Sequence, residues 1–265
     1  MKSFALLTPF LLAAPLLFAS ANAAAEPTLS PASTTGTPAT KIPDLSGVWA
    51  QKVVTSAVSK VSIIGEVISQ TVAINRVDIQ QDGRELAVTS APCHVDLLTD
   101  QSMVKTQIPA SYIAAMKTDT RKAILQGDAG QYTLDFPGKT TVFGAQLENL
   151  SDALPTKPSD PRVVDPDKDG NPGVTMRLSG MIDSDLYLAQ KNWDKMTGKL
   201  LPGDKIAGEV TWKTDQVILA ATSRMVGDSP ASTQHPDDKQ SYFRMIRLDP
   251  GEQCADILEK QKELF

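Results

Sequence analysis

Histidine is nearly missing from this chain, with two copies in 265 residues. Histidine is the usual general base at neutral pH, so a Ser-His-Asp or Cys-His device would have to use His94 or His235. His94 adjoins Cys93 and reads as a packing or surface group, while His235 lies in the polar segment TQHPDD and reads as solvated. Also missing are a G-x-S-x-G elbow, a phosphate-binding loop, a G-x-G-x-x-G fingerprint, H-E-x-x-H, and any Cys/His spacing that suits zinc. No catalytic residue is nominated, and a non-enzymatic domain is expected. A hydrolase built on a carboxylate pair is the one enzymatic alternative left open.

Clustered positive charge is missing too. The chain has 26 Lys and Arg against 31 Asp and Glu, with no Lys/Arg-rich run. Nucleic acid and anionic membranes bind through clustered cations, so neither is expected as a partner. Cysteine is limited to Cys93 and Cys254. In an oxidising compartment two cysteines are most simply one disulfide, and the pair is not in the C-x-x-C arrangement that makes thiols reactive. Closing a loop of roughly 160 residues corresponds to an upper figure of about 5 kcal/mol in the chain-entropy view.

What is present begins with Lys2, an apolar stretch from Phe4 to Phe18, and the small residues Ala21-Asn22-Ala23. This is the pattern of a cleavable secretion signal over residues 1–23, which predicts an exported protein, periplasmic or extracellular, with no integral membrane segment after cleavage. Removing Lys2 leaves 25 cations against 31 anions, a net charge of −6. Residues 24–43 are rich in Pro, Thr, Ser and Ala and have little to bury, so they read as a flexible tether. Residues 44–265 then read as one folded domain of a length common in β-barrels and sandwiches.

Alternation of apolar and polar residues, rich in Val, Ile and Thr, predicts strands. The clearest are Thr71 to Gln81 and Arg84 to Ser90, joined by Asp82-Gly83 as a hairpin turn. A second hairpin is predicted from Ile206 to Lys213 and Gln216 to Ser223 about Thr214-Asp215. Further strands are expected at Gly47 to Val58, Thr140 to Leu147, Val174 to Leu178, Asp185 to Lys191 and Tyr242 to Leu248. Helix signals are confined to Pro109 to Met116 and the C-terminal run Glu252 to Leu264. The predicted class is mainly β: a single antiparallel barrel or sandwich with a short internal helix and a C-terminal helix.

The segment Leu45-Ser46-Gly47-Val48-Trp49 resembles the G-x-W strand that opens lipocalins and other calycins. That resemblance implies a barrel whose floor is closed by Trp49, with an arginine near the last strand packed across it, Arg244 or Arg247 here. A small apolar ligand is the natural guest for a barrel interior, so a binding protein for such a ligand is the leading expectation. An envelope protein docking on the surface is the alternative partner. The chain further resembles an uncharacterised group of exported bacterial proteins that carry a D-x-D-x-D-G-x-P-G-V-T loop, here Asp165 to Thr175; that likeness implies no activity.

This loop is the one motif with chemistry in it. Asp165, Asp167 and Asp169 alternate, Gly170 permits a sharp turn, and the Asn171 carbonyl can follow them inward, as in the first half of an EF-hand. Like charges so close call for a hard divalent cation, and Ca2+ is the expected cofactor. The second half departs from that pattern. Met176 stands where an EF-hand has its bidentate glutamate, and Pro172 and Gly173 forbid a helix directly after the loop. An acidic group from elsewhere is expected to complete the shell, with Asp160, Asp183 and Asp185 as candidates, and affinity is expected at about 10⁻⁴ to 10⁻³ M.

Overall fold

A computed structural model describes residues 42–61, 65–128, 130–227 and 231–265. The predicted signal segment 1–23 and residues 24–41 of the predicted tether lie outside the described residues.

The strands in chain order are β1 (Gly47–Val61), β2 (Gly65–Asp82), β3 (Glu85–Thr99), β4 (Val104–Gln107), β5 (Asp119–Asp128) and β6 (Gln131–Phe143). They continue with β7 (Val174–Gly180), β8 (Ser184–Leu201), β9 (Lys205–Ala221), β10 (Ser232–Gln234) and β11 (Tyr242–Arg247). Helix α1 (Ala110–Ala115) follows β4, and α2 (Cys254–Leu264) ends the chain. Strands β1, β2, β3, β5, β6, β8, β9 and β11 pair antiparallel, each with the next, and β11 returns to β1. Hydrogen bonding therefore runs in a ring, and an eight-stranded ring is just wide enough for side chains to fill. Strands β7 and β4 branch from the first part of β8, and β10 extends beside β1.

Period-two alternation fills that ring. Val77 and Ile79 of β2, Leu86 and Val88 of β3, and Leu134 and Phe136 of β6 all face one core with Trp49 and Phe243. Phe136 meets Phe243 edge to face at 5.8 Å, a favoured aromatic geometry. Room for Phe243 comes from Gly198, where an added Cβ would lie 2.6 Å from the ring. Gly198 pairs across the sheet with Gly208.

Two devices lock the first and last described segments onto this ring. Trp49 is fully shielded and its indole N–H donates to the Leu45 carbonyl at 2.9 Å. The Arg247 guanidinium stacks over the indole at 4.6 Å while donating to the carbonyls of Ser46 and Asp44. Of the two arginines the sequence offered, Arg247 therefore covers Trp49, and the nomination of Arg244 is corrected. Arg244 lies over Tyr242 and donates to the Phe265 carbonyl. It is three residues from Arg247, and odd spacing along a strand changes the face. At the other end, α2 buries Ile257 against Ala50, Ile74 and Leu248 on the outer wall of β1 and β2. A capping box between Gln253 and Asp256 starts this helix, and the Cys93–Cys254 disulfide fastens it to β3. Such a bond suggests a location outside the reducing cytoplasm. No helix among the described residues is long and apolar enough to cross a membrane.

The hairpin between β2 and β3 forms one residue further on than expected: Asp82 pairs with Glu85, so Gly83 and Arg84 make the turn, with Gly83 in the left-handed region at φ 58°. The second expected hairpin does not exist. Residues 205–221 are one strand, and Thr214 and Asp215 face Asn192 and Lys191 of β8 in unbroken register. Neither residue is in the set with positive φ, and Lys191 reaches Asp215 at 3.6 Å, so a polar pair reads as a turn in sequence yet serves as a cross-strand contact. Strands β4 and β5 lie in a stretch for which no strand was expected, and β6 begins nine residues before its expected start at Thr140 and stops at Phe143.

Candidate metal centre

Between β6 and β7 the chain makes an excursion, residues 144–173, that crosses back over β8. Gly144 and Gly173 both press against the Leu188 carbonyl, where a Cβ on either would stand 2.2 Å away. Only glycine allows that approach. The base of the excursion is stitched by an Ala145–Val163 bridge, by Gln146 N–H to the Arg162 carbonyl at 2.8 Å, and by Gly173 N–H to the Val164 carbonyl at 3.0 Å. The last bond pinches residues 164–173 into a closed loop that holds all three aspartates.

Within it, Lys168 and Gly170 take left-handed backbone angles, φ 57° and 85°, which coil the chain around a point. One carboxylate oxygen each from Asp165, Asp167 and Asp169 lies within 4.8 Å of the others. Hydrogen bonds to these carboxylates hold the loop together. Asp165 accepts from Gly170 N–H at 2.8 Å, Asp169 from Asn171 N–H at 2.9 Å, and Asp167 from Thr175 N–H at 3.0 Å. Asp167 Oδ1 is shielded from solvent and accepts nothing. A buried carboxylate oxygen without a donor is costly, and a cation among three hard oxygen donors removes that cost. The cluster can thus hold a metal ion.

The electrostatics agree. Burial pushes the Asp167 carboxyl above its usual range, and the neighbouring Asp169 charge adds to this. Burial also acts to raise Asp169, but hydrogen bonds from Thr175 and Asn171 outweigh it and hold that carboxyl below the ordinary value. Tyr112 of α1 is pushed up by burial and further by the charge of Asp167, and Tyr187 by burial and then by Asp185 and Asp169. Negative charge from the loop thus reaches both tyrosines, while Asp169 itself lies at the exposed side.

The structure brings Asp165, Asp167 and Asp169 together as the sequence predicted, and places Asn171 beside them as a backbone donor to Asp169. The three outside candidates are engaged elsewhere. Asp160 takes a two-pronged grip from Arg162, which holds its carboxyl at about 2. Asp183 caps Gly180 N–H in the β7–β8 turn, and Asp185 pairs with Arg177 at 2.9 Å. Thr175 ends the D-x-D-x-D-G-x-P-G-V-T motif, and its role is not signalled by the spacing of the aspartates. Its N–H bonds Asp167 and its hydroxyl bonds Asp169, so β7 itself grips the loop. Met176, at the twelfth position, turns instead into the core beside Tyr112 and Leu188, because successive strand residues face opposite ways.

Both histidines have polar neighbours close by in the chain. His94 pairs with Asp96 at 3.0 Å, and His235 Nδ1 accepts from Asp237 N–H at 3.1 Å. No protein-family model, curated protein or solved structure matches this chain.

Proposed function

We propose that this chain is an exported, non-enzymatic β-barrel domain whose 165–175 segment is fixed by calcium, and that it binds its partner at the surface. The observation that carries the metal reading is the solvent-shielded Asp167 Oδ1, with no donor, among three converging carboxylates. An all-oxygen donor set without histidine or cysteine favours a hard cation, and an irregular loop suits the flexible coordination of calcium better than the strict octahedron of magnesium. The packed ring interior, with Trp49, Phe136 and Phe243 fully shielded, favours a surface partner over an enclosed apolar ligand. Calcium here acts as a structural clasp. It would tie the excursion to β7 through Asp167, Asp169 and Thr175.

The test is thermal unfolding of the exported form in chelator and in about 2 mM calcium. With a Kd near 10⁻⁴ M, mass action on the folded state gives about 2 kcal/mol, and a Tm rise of about 5 °C for a domain of this size. Equilibrium dialysis against about 2 mM calcium should leave one bound calcium per chain. A Tm that ignores calcium sinks the metal reading.

A further inference from the structure

The ring is complete in one half of the molecule and lacks a strand in the other. Strand β3 pairs with β5 only as far as Ser90; from Ala91 to Thr99 its one strand neighbour among the described residues is β2. Strand β4, joined to β3 by the turn 100–103, pairs with β7 on one side and has no strand on its other side among the described residues. The turn is held in that splayed form. Gln101 accepts from the N–H groups of Met103 and Val104 and donates to the Val104 carbonyl, while Met181 N–H bonds the Met103 carbonyl at 2.8 Å. A cleft of about 640 Å³ lies between the two edges.

Its lining identifies its walls as edges. Residues 94–99 of β3 and 105–108 at β4 line it consecutively, whereas a strand presenting one face would contribute every second residue. A strand with one neighbour leaves alternate backbone N–H and C=O groups unpaired, and the natural occupant of such an edge is another extended chain. Val95, Leu97 and Ile108 give the cleft an apolar lining. Lys105 and Arg177 stand along it, and Lys105 has no acidic partner among the described residues. Asp96 is already paired with His94 and Arg177 with Asp185. Lys105 is therefore the lining cation left to meet a carboxylate, among the described residues.

We infer that the cleft between β3 and β4 accepts an extended, acidic peptide segment, which adds as a strand along the 94–99 edge of β3 and sets a carboxylate against Lys105. This rests on the reading that the domain works at its surface and names the partner's chemistry; it does not depend on the metal.

The probe is a fluorescein-labelled peptide of alternating Glu and Val, five to seven residues long, titrated by anisotropy against the exported form with calcium and with chelator. Saturable binding is expected, with slowed amide hydrogen exchange confined to residues 94–98. Lys105→Glu should weaken it at least tenfold without moving the Tm, since that side chain is exposed. Methylating alternate peptide nitrogens should abolish it. No saturation up to about 1 mM peptide, equal binding of the N-methylated peptide, or indifference to Lys105→Glu would each overturn the inference. So would a concentration-dependent dimer lost in Lys105→Glu, which assigns the edge to a second copy. A calcium-dependent Tm without peptide binding removes the cleft proposal alone, and peptide binding without a calcium response removes the metal alone.

Discussion

Arg247 of the last strand lies 4.6 Å from the ring centroid of Trp49 on the first, and its guanidinium also accounts for the carbonyls of Asp44 and Ser46. One side chain thus closes the seam of the ring and fastens the segment that enters it. Arg247→Ala should lower unfolding free energy by about 2 to 3 kcal/mol, from the lost cation–π contact and two charge-assisted hydrogen bonds. Arg244→Ala, which touches only Tyr242 and the chain end, should cost about 0.5 kcal/mol. Urea denaturation of both variants checks the order; equal losses would mean the stack carries no special weight.

Gly198 leaves the space that the Phe243 ring fills. Gly198→Ala should destabilise by about 1 to 3 kcal/mol through overpacking, while Gly203→Ala meets no neighbouring atom and is resisted only by its left-handed backbone, φ 77°. Near-ultraviolet circular dichroism would report the disturbed aromatic packing in the first variant and leave the second unchanged.

Asp167→Asn removes charge and keeps shape. In chelator the variant should be more stable than the parent, because it relieves a buried charge beside Asp169, and in millimolar calcium the order should reverse. Melting curves of the two proteins in both buffers give all four values. A variant that still gains from calcium would displace Asp167 from the site.

The same carboxylates set a pH dependence in chelator. Asp167 has a folded-state value above its ordinary 3.8, so the folded state holds its proton more tightly, and stability contributed by that group falls as pH rises through the window above 3.8. Asp169 is lowered, so its contribution is present above 3.8 and is lost as pH falls below it. Denaturation midpoints of the parent and Asp167→Asn between pH 3.5 and 7 should diverge toward the upper end of that range, and parallel curves would contradict the burial of Asp167.

Reduction of Cys93–Cys254 opens a cross-link between residues 161 apart in sequence. Cys254→Ser should cost about 2 to 5 kcal/mol, and with it the protection of Ile257 and the rest of α2. Hydrogen exchange resolves the effect: α2 should open before the ring, since its anchorage is one buried side chain, a few partly buried neighbours and this bond.

Much of the barrel was legible because its signals are local. Alternation marks β2, the start of β3 and β11, Gly83 marks the turn between the first two to within one residue, and Asp165, Asp167 and Asp169 are spaced for one centre. β5 escaped notice because DTRKAILQGD shields only Ala123 and Leu125 and otherwise reads as polar. Thr214-Asp215 misled because polar residues on an outward face look like a turn until the partner strand is known.

By itself the sequence determined the β class, the two-cysteine bond, the export expectation and the triad of aspartates, all properties of composition, period and short spacing. Tertiary structure alone decided that Arg247 and not Arg244 meets Trp49, that the ring is packed with side chains, that Thr175 grips the metal loop, and that β3 and β4 part to leave an open edge. Each of these joins residues far apart in the chain or depends on which way a strand faces, and register is fixed only when partner strands have met.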